Sequence, residues 1–366
     1  MKFQIEKETL LNPLQQIIGA VEKRQTMPAL SNVLLRATEN SLTLTATDLE
    51  IELVSHIAMI IDQPGDITVP ARKLLDICKS LPNESMINFS VKDNKALVQS
   101  GRSRFSLATL AANDFPALDA INSVNEFEIA QKTLRDIIDK TAFAMAQQDV
   151  RYYLNGLMLE VSANNLRAVA TDGHRLAYCE KETTADIADI KQVILPRKGV
   201  LELVRLLSDT EDKVKVILGS NHLQVKFDDL RLTSKLIDGR FPDYNRVMPT
   251  DGNNVITADR EQLRQALIRA SILSNEKYRG IRLILENNLV KLQAHNPDQE
   301  EADIELEVVY KGDEIEIGFN VNYMLDVLNV TNSEMVQAAL RDSNSSFVLT
   351  YPDQQDCKYV IMPMRL

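Results

Sequence analysis

The chain has 366 residues, of which 45% are hydrophobic and 25% are charged, and it contains no tryptophan. This composition is typical of globular proteins, and a chain of this length is predicted to form two or three domains rather than a single core. The net charge of −11, taken over the whole chain, argues against a nucleic-acid partner, because binding to phosphates requires a basic surface.

Membrane and secreted proteins are also disfavoured. The N-terminus, MKFQIEKETLL, has no apolar segment of the kind found in a secretory signal, and the longest wholly apolar run, Ile57–Ile61, is too short to span a membrane. The three cysteines, Cys78, Cys179 and Cys357, are odd in number and far apart. We therefore expect neither a disulfide framework nor a cysteine metal site, which is consistent with a reducing cytoplasm.

An internal repeat organises the chain. A shift of 124 residues places the triplet 46–48, Ala-Thr-Asp, on an identical triplet at 170–172. A third, more divergent copy follows at a further shift of 129 residues, which places Leu134 on Leu263. The repeat predicts three domains with the following bounds: 1–125, 126–253 and 254–366.

The predicted elements follow the same order in each repeat. In the first, an alternating strand containing Phe3 and Ile5 is followed by an amphipathic helix and then by two strands joined by a turn. Pro13 falls within that helix, and we expect it to be tolerated only in the first turn. A second helix, ARKLLDICKSL, precedes the closing strands, and RKGVLELVRLL and NVNYMLDVLNV are its counterparts. The elements predict an α+β fold in which each domain packs two helices on β-sheet.

The predicted helices are basic although the chain is acidic. Together they carry a net charge of +8 over these six segments: 7–24, 72–79, 131–151, 197–205, 260–282 and 322–334. Two interpretations remain open. Either these lysines and arginines are ordinary solvated residues, or the helices share one basic face, and an acidic exterior would then repel DNA everywhere else.

The stretch VATDGHRLA, residues 169–177, is the part of the chain most like an active site, because Asp172, His174 and Arg175 lie side by side. Its Ala-Thr-Asp triplet recurs in the first repeat, in TATDLEIEL (45–53), so we interpret the triplet as part of the fold. The four histidines show no metal-ligand spacing, and no P-loop or Cys–His signature is found. A phosphodiesterase-like hydrolase using these three residues, or a repeat scaffold that binds no DNA, remains an alternative.

The chain resembles one known family along its whole length. The stretches that carry the resemblance are QQDVRYYLNG (147–156), ATDGHRLA (170–177), SKLIDGRFPDYNRV (234–247), SNEKYRGIRL (274–283), NPDQEEA (296–302) and YVIMPMRL (359–366). They are similar to the bacterial β sliding clamps, the processivity subunits of DNA polymerase III. The resemblance implies three clamp domains per chain and a head-to-tail homodimer, a six-domain ring whose helices surround duplex DNA.

That resemblance also implies a cytoplasmic, non-catalytic protein without a cofactor. A ring holds DNA by topology, so weak and non-specific phosphate contacts suffice, whereas contacts to base edges would hinder sliding.

The resemblance further implies a pocket, between the second and third domains, for short partner motifs containing Gln and Leu or Phe. The implied partners are clamp-loader subunits, the replicative DNA polymerase alpha subunit, repair polymerases and mismatch-repair proteins. The first subsite comprises Leu154, Thr171, Gly173, His174, Arg175, Leu176, Pro242, Arg246, Val247, Val360 and Met362. The second comprises Arg151, Tyr153, Asn320, Tyr323, Ser346, Pro363, Met364, Arg365 and Leu366. Asn344 stands where an apolar residue is expected, so the resemblance does not fix the motif preference.

Two further sets of residues are implied by the resemblance. The DNA contacts are Arg24, Arg72, Gln148, Tyr152 and Tyr153. The dimer contacts are Lys73, Arg102, Arg104, Phe105 and Leu107 of the first domain, facing Ile272, Leu273, Asp298, Glu300 and Glu301 of the third. The opposite charges of these two faces favour head-to-tail pairing. For any one of these residues taken alone, ordinary surface or core packing is the alternative.

Overall fold

The same order of elements occurs three times along the chain: a strand, a helix, four strands, a second helix and three strands. The computed structural model describes residues 1–22, 27–116, 118, 123–185, 187, 189–248 and 253–365. Arg24, predicted to contact DNA, and Leu366, predicted to line the pocket, lie outside the described residues. The predicted α+β fold of three repeats is confirmed.

The elements have the following bounds. The first repeat contains β1 Lys2–Glu6, α1 Lys7–Ile17, β2 Asn32–Thr38, β3 Ser41–Thr47, β4 Ile51–Ala58, β5 Gly65–Pro70, α2 Ala71–Ser80, β6 Met86–Lys92, β7 Lys95–Ser100 and β8 Ser103–Ala108. The second contains β9 Ser123–Ala130, α3 Gln131–Asp139, β10 Gly156–Val161, β11 Asn165–Thr171, β12 Arg175–Glu182, β13 Lys191–Pro196, α4 Arg197–Leu206, β14 Lys213–Gly219, β15 His222–Lys226 and β16 Leu230–Lys235. The third contains β17 Asn254–Asp259, α5 Arg260–Ser271, β18 Gly280–Glu286, β19 Leu289–His295, β20 Glu301–Glu307, β21 Ile315–Asn320, α6 Val321–Asn329, β22 Met335–Leu340, β23 Phe347–Tyr351 and β24 Gln354–Ile361.

The described strands form four antiparallel sheets. Two have eight strands, in the orders β5-β2-β3-β4-β16-β15-β14-β9 and β13-β10-β11-β12-β24-β23-β22-β17. Two have four strands, in the orders β1-β6-β7-β8 and β20-β19-β18-β21. Each large sheet joins four strands of one repeat to four strands of the next, through β4–β16 or β12–β24.

The chain divides into two compact units, each with one sheet of each size. The first unit comprises residues 1–132 and 201–236, and the second comprises residues 133–200 and 237–366. Since strand pairing divides the central repeat between the units, the predicted domain boundaries rest on the sequence repeat alone and stay a prediction.

The helices bury one apolar face each, as their sequence periodicity predicts. In α1 this face comprises Leu10, Leu14 and Ile17, which are fully buried. Pro13 lies in the second turn of α1, contrary to the expectation for a helical proline. Its missing N–H therefore costs the helix one backbone hydrogen bond.

Four predicted helices were too long, because α1 ends at Ile17, α3 at Asp139, α5 at Ser271 and α6 at Asn329. At the ends of α3 and α5, side-chain hydroxyl groups donate to carbonyl oxygens of the last turn. Thr141 Oγ1 donates to the Ile137 carbonyl at 2.7 Å, and Ser271 Oγ donates to the Ile268 carbonyl at 2.7 Å. Such bonds satisfy the carbonyl groups that the last helical turn leaves without a backbone partner.

The six α-helices found among the described residues together contain twelve basic and seven acidic residues, a net charge of +5, so their predicted basic character is confirmed. Whether they share one basic face stays a prediction. None of the described helices combines the length and the apolar character that a membrane span requires.

The expectation that the cysteines are unpaired was wrong for two of them. Cys179 on β12 lies opposite Cys357 on β24, and the two buried residues form a disulfide bond. They are separated by 178 residues in the sequence, and only the pairing of the two strands brings them together. Cys78 is a buried thiol whose pKa burial raises to about 12. The cysteines therefore give no support to a reducing compartment.

Candidate functional site

A cavity of about 170 Å³ opens at the surface of the second unit. Its walls come from the chain before β10, the β11–β12 turn, the segment 241–247 and the end of β24. The lining residues are Arg151, Tyr153, Leu154, Thr171, Gly173, Arg175, Leu176, Phe241, Pro242, Asp243, Tyr244, Val247, Ser346, Val360 and Met362. All but Phe241, Asp243 and Tyr244 belong to the predicted pocket. The structure therefore brings together nine of the eleven residues of the first predicted subsite, but only three of the nine of the second, Arg151, Tyr153 and Ser346.

Part of the cavity lining packs on a buried apolar cluster, in which one face of the sheet presents apolar side chains in register. Met158 on β10 is paired with Val169 on β11 and with Ile194 on β13, so these three side chains share a face. Phe241 and Tyr244 pack against them, and all five residues are buried. A leucine or aromatic side chain that entered the cavity would exchange water for apolar surface.

The three lining residues that sequence reasoning missed lie in the stretch RFPDYNRV. Two of them, Phe241 and Tyr244, are aromatic residues within two positions of Pro242, which was predicted to line the pocket. Their closeness to Pro242 in the sequence could have indicated that they line the pocket as well. Asp243 Oδ1 accepts from the Asn245 amide at 3.3 Å, and Asp243 Oδ2 accepts from Arg246 Nε at 3.1 Å. Asp243 therefore fixes a tight turn at the edge of the cavity.

The β11–β12 turn is held by the side chains of Thr171 and Asp172. Thr171 Oγ1 donates to the Arg175 carbonyl at 2.6 Å and accepts from the Gly173 amide at 3.1 Å. Asp172 Oδ1 accepts from the His174 amide at 2.9 Å and from the Arg175 amide at 3.0 Å. The carboxylate of Asp172 thus accepts hydrogen bonds from the backbone of the turn.

The same construction occurs in the first repeat, where Asp48 Oδ1 accepts from the amides of Glu50 and Ile51 at 2.9 and 2.8 Å. This recurrence confirms that the Ala-Thr-Asp triplet belongs to the fold.

Arg175 forms one wall of the cavity with its guanidinium held by other parts of the second unit. Its Nε donates to Asp172 Oδ2 at 3.1 Å, its Nη1 donates to Asp326 Oδ2, and its Nη2 donates to the Phe143 carbonyl at 2.9 Å. The guanidinium carbon lies 4.5 Å from the centre of the Tyr323 ring and 5.3 Å from that of Phe143. Burial, and then the nearby charge of Asp172, raises the pKa of Tyr323.

Arg151 lies across the β11–β12 turn. Its Nη2 donates to Asp149 Oδ2 at 2.9 Å and to the Asp172 carbonyl at 3.2 Å. The hydrogen bonds from the Arg151 side chain and backbone lower the pKa of Asp149 to about 2. Gly173 has φ +89°, and a Cβ atom there would lie 2.9 Å from Arg151 Nη2. The missing side chain therefore allows Arg151 to lie against the turn.

Several predicted pocket residues do not line the cavity. These are His174, Arg246, Asn320, Tyr323, Pro363, Met364 and Arg365. His174 is exposed, and Arg246 extends into solvent with 84% of its side chain accessible. Asn320 Oδ1 accepts from the Asn322 amide at 2.9 Å and caps α6. Asn344 is also exposed and away from the cavity wall.

The C-terminal tail is attached to the rest of the second unit. The Met362 amide donates to the His174 carbonyl at 2.9 Å, and the Met364 amide donates to the Gly318 carbonyl at 2.7 Å. The tail is therefore held by backbone hydrogen bonds at Met362 and at Met364.

The predicted DNA contacts fall in two places. Gln148, Tyr152 and Tyr153 lie together in the loop before β10, where Gln148 is exposed with φ +57° and Tyr152 is 58% exposed. Tyr153 is half-buried and lines the cavity, so the structure assigns it to the pocket wall. Arg72 is exposed on α2, and its Nη2 donates to the Val21 carbonyl at 3.2 Å.

The predicted dimer contacts are mostly exposed. They include the charged residues Lys73, Arg102, Arg104, Asp298, Glu300 and Glu301, all of which are exposed. Ile272 is 72% exposed just beyond α5, Leu273 is half-buried and Phe105 is half-buried. Leu107 is only 7% exposed, and its side chain belongs to the core because its position on β8 faces the interior of the first unit.

The chain matches one known family along most of its length. Models of the DNA polymerase III beta subunit match three successive parts of this chain: the N-terminal domain over residues 1–119, the central domain over residues 128–243 and the C-terminal domain over residues 245–365.

The chain is also similar to proteins of known structure. It is 55% identical to the beta sliding clamp of Pseudomonas aeruginosa over 367 residues, with 100% of both chains covered. Its structure is similar to a crystal structure of the DNA polymerase III subunit beta of P. aeruginosa, with a TM-score of 0.98, 54% identity and 100% of both chains covered. A P. aeruginosa sliding clamp bound to griselimycin matches with a TM-score of 0.96, 55% identity and the same coverage.

Proposed function

This chain belongs to the family of the DNA polymerase III beta subunit, the sliding clamps that give DNA replication its processivity, and we propose how its own residues perform that task. The cavity of the second unit binds short peptide motifs of partner proteins. The chain works as a head-to-tail homodimer on duplex DNA, in the cytoplasm, and catalyses no reaction itself. The observation that carries the proposal is the apolar cavity with arginine and serine groups at its edge.

The chemistry of the cavity matches a motif with Gln and Leu or Phe. Leucine and aromatic anchors fit against the apolar lining residues Phe241 and Tyr244, and Arg151 and Ser346 supply polar groups at the wall. Met362 is 41% exposed there, and a flexible methionine repacks easily around different side chains. The partners are clamp-loader subunits, the replicative DNA polymerase alpha subunit, repair polymerases and mismatch-repair proteins. Griselimycin, bound by the P. aeruginosa clamp, is a suitable competitor for the same cavity.

The pattern of strand pairing supports the head-to-tail dimer. Within the chain, β4 pairs with β16 and β12 pairs with β24, which are equivalent junctions between successive repeats. Their third-repeat and first-repeat counterparts, β20 and β8, are edge strands of their sheets among the described residues. Pairing of β20 with β8 of a second copy would repeat the same junction and close a ring. Arg102 and Arg104 near β8 complement the acidic residues Asp298, Glu300 and Glu301 near β20.

Contact with DNA is proposed through the basic helices and the loop before β10. Arg24 and Arg72 supply charge, and Gln148 and Tyr152 supply exposed polar and aromatic groups. Replacing Arg24 and Gln148 together with Ala should weaken binding to primed DNA. Each lost phosphate contact should reduce the slope of log affinity against log salt by about one unit or less.

A non-catalytic role is supported by the turn at Asp172, whose carboxylate oxygens accept from two backbone amides and from Arg175 Nε. His174→Ala should change the affinity for peptides modestly. A metal-dependent phosphodiesterase activity that disappears in that variant would instead favour the hydrolase alternative.

The central test of the pocket uses the C-terminal tail. Deleting Met362–Leu366 should abolish binding of a fluorescent peptide containing Gln, Leu and Phe, while sedimentation still gives the mass of the dimer. The matched control is the double variant Ile272→Ala, Leu273→Ala, which should sediment as a folded monomer and still bind the peptide. Peptide binding that survives the deletion would refute the pocket assignment.

A further inference from the structure

The guanidinium of Arg175 is occupied by groups of the chain itself. Each of its three nitrogens donates a hydrogen bond, to Asp172, to Asp326 or to the Phe143 carbonyl. Only 12% of the Arg175 side chain is exposed. An arginine held in this way contributes its aliphatic stem and the flat surface of its guanidinium to the cavity wall. Its charge is already paired with the two aspartates.

Asp326 is the distant member of this arrangement. It lies on α6, 151 residues from Arg175 in the sequence, and its side chain is 41% exposed. It is absent from the cavity lining, so a substitution there removes no atom of the wall and can act on it only through Arg175. Tyr323, one turn earlier on α6, lies 4.5 Å from the same guanidinium, so α6 holds Arg175 by an ion pair and by an aromatic ring.

The consequence of losing this ion pair follows from the geometry of arginine. The planar guanidinium forms directional bonds, and its long stem has many rotamers when those bonds are absent. Asp172 also holds the backbone of the β11–β12 turn, so a shift of Arg175 would disturb the wall at Thr171 and Gly173 as well.

We propose that Asp326 is a positioning residue for the peptide pocket: it holds Arg175 in the conformation that shapes the cavity wall, without touching the bound peptide. This inference rests on the proposed function of the cavity. In this arrangement Arg175 is a shaped part of the cavity wall and not a charged ligand of the peptide.

The test measures the affinity of a fluorescent peptide containing Gln, Leu and Phe by anisotropy. Asp326→Asn should weaken binding by roughly 3- to 30-fold, because the ion pair is lost and Arg175 becomes free to move. Asp326→Glu keeps the carboxylate and should restore the affinity to within about 3-fold of the wild-type value. If Arg175 binds the peptide through its charge, freeing it from Asp326 would leave the affinity unchanged or make it tighter, and that result would overturn the inference.

The controls separate positioning from general destabilisation. Asp76→Asn makes the same substitution at the equivalent position of α2, the sixth residue of that helix, and should leave the affinity unchanged. In the double variant Arg175→Met, Asp326→Asn, affinity should equal that of Arg175→Met alone, because Asp326 acts only through Arg175. Additive losses would contradict this. If the Asn variant does not fold, Asp326→Ser is a second uncharged variant, and we expect it to show the same loss of peptide affinity.

The outcome also distinguishes this inference from the function on which it rests. A wild-type chain that does not bind the peptide would refute the pocket itself. A wild-type chain that binds, together with an Asp326→Asn variant of equal affinity, would refute only the positioning role.

Discussion

The turn that joins β3 to β4 in the first repeat is built like the turn that joins β11 to β12 in the second. In each, the threonine hydroxyl donates to the carbonyl four residues later, at 2.7 Å from Thr47 and at 2.6 Å from Thr171. In each, the following aspartate, Asp48 or Asp172, accepts from the amides two and three residues later.

The residues that follow the two aspartates differ. Position 51 is a fully buried isoleucine, whereas the equivalent position 175 is an arginine held by Asp326 and Tyr323 in a cavity wall. The local hydrogen bonds set the shape of the turn in both repeats. What the turn can bind depends on the side chains that come after it and on the elements packed against them.

The largest effect is expected when the buried isoleucine of the first turn is replaced by arginine, the residue at the equivalent position of the second. Ile51→Arg would place a charge in the core of the first unit, and we expect a loss of at least about 3 kcal/mol in the free energy of unfolding, because burying an unpaired charge is costly. Denaturant unfolding followed by circular dichroism measures it. Glu50→His, at the exposed neighbouring position, is the control and should change little. If the free energy of unfolding changes as little in Ile51→Arg as in the control, the comparison is contradicted.

The strands that follow the two turns provide the next contrast. Cys179 on β12 is bonded to Cys357, whereas the equivalent residue on β4, Ser55, lies opposite Leu230. Reduction of the disulfide should lower the stability of the second unit by about 2–4 kcal/mol, because the reduced unfolded chain gains conformational freedom. Hydrogen exchange with and without reductant should show the loss in β12 and β24 and no change in β4 and β16.

The double variant Cys179→Val, Cys357→Val is the control for that experiment, since it should not respond to the reductant. Equal protection of β12 in the oxidised and reduced wild-type chains would show that the disulfide contributes nothing to the second unit.

Replacing the threonines of the two turns should have different effects on stability and on peptide binding. Thr47→Val and Thr171→Val each remove two hydrogen bonds of a hydroxyl, at a cost of about 1–3 kcal/mol. We expect the larger cost for Thr47, which is buried, because water can replace the partners of the half-buried Thr171. Only Thr171→Val should weaken peptide binding. Thr45→Val on β3 is the matched control, and equal losses of peptide affinity in all three variants would refute the comparison.

The smallest effects concern the residue with positive φ in each turn. Gly173→Ala should cost about 1 kcal/mol and weaken peptide binding, because the new Cβ atom meets the Arg151 guanidinium in a left-handed conformation. Leu49 already occupies this conformation at φ +78° and is exposed at the surface. Leu49→Gly should therefore change stability by less than about 0.5 kcal/mol, since relief of strain and the greater freedom of the unfolded chain oppose each other. Thermal unfolding of both variants measures the difference, and a larger effect at Leu49 would reverse the comparison.

Much of the candidate site could be read from the sequence because its residues lie in a few contiguous stretches. The turn 170–177 and the C-terminal tail were predicted as walls of one pocket, and the structure brings them together through the bond from the Met362 amide to the His174 carbonyl. Tyr244 was missed because its side chain reaches the cavity only when the segment 241–247 folds over the sheet. Leu107 was predicted to be at an interface, and its burial depends on which face of β8 turns inward.

The sequence by itself determined the order of elements in each repeat and the construction of the two turns. Both follow from local rules: apolar periodicity selects helix or strand, and the side chains of threonine and aspartate bond to amides and carbonyls within four residues. The tertiary structure alone decided that β12 pairs with β24, that Cys179 meets Cys357, and that Asp326 holds Arg175. These contacts join residues more than 150 positions apart, and no local preference specifies them. They form because apolar faces and unpaired strand edges of different repeats are buried together, and only the complete fold fixes which of them meet.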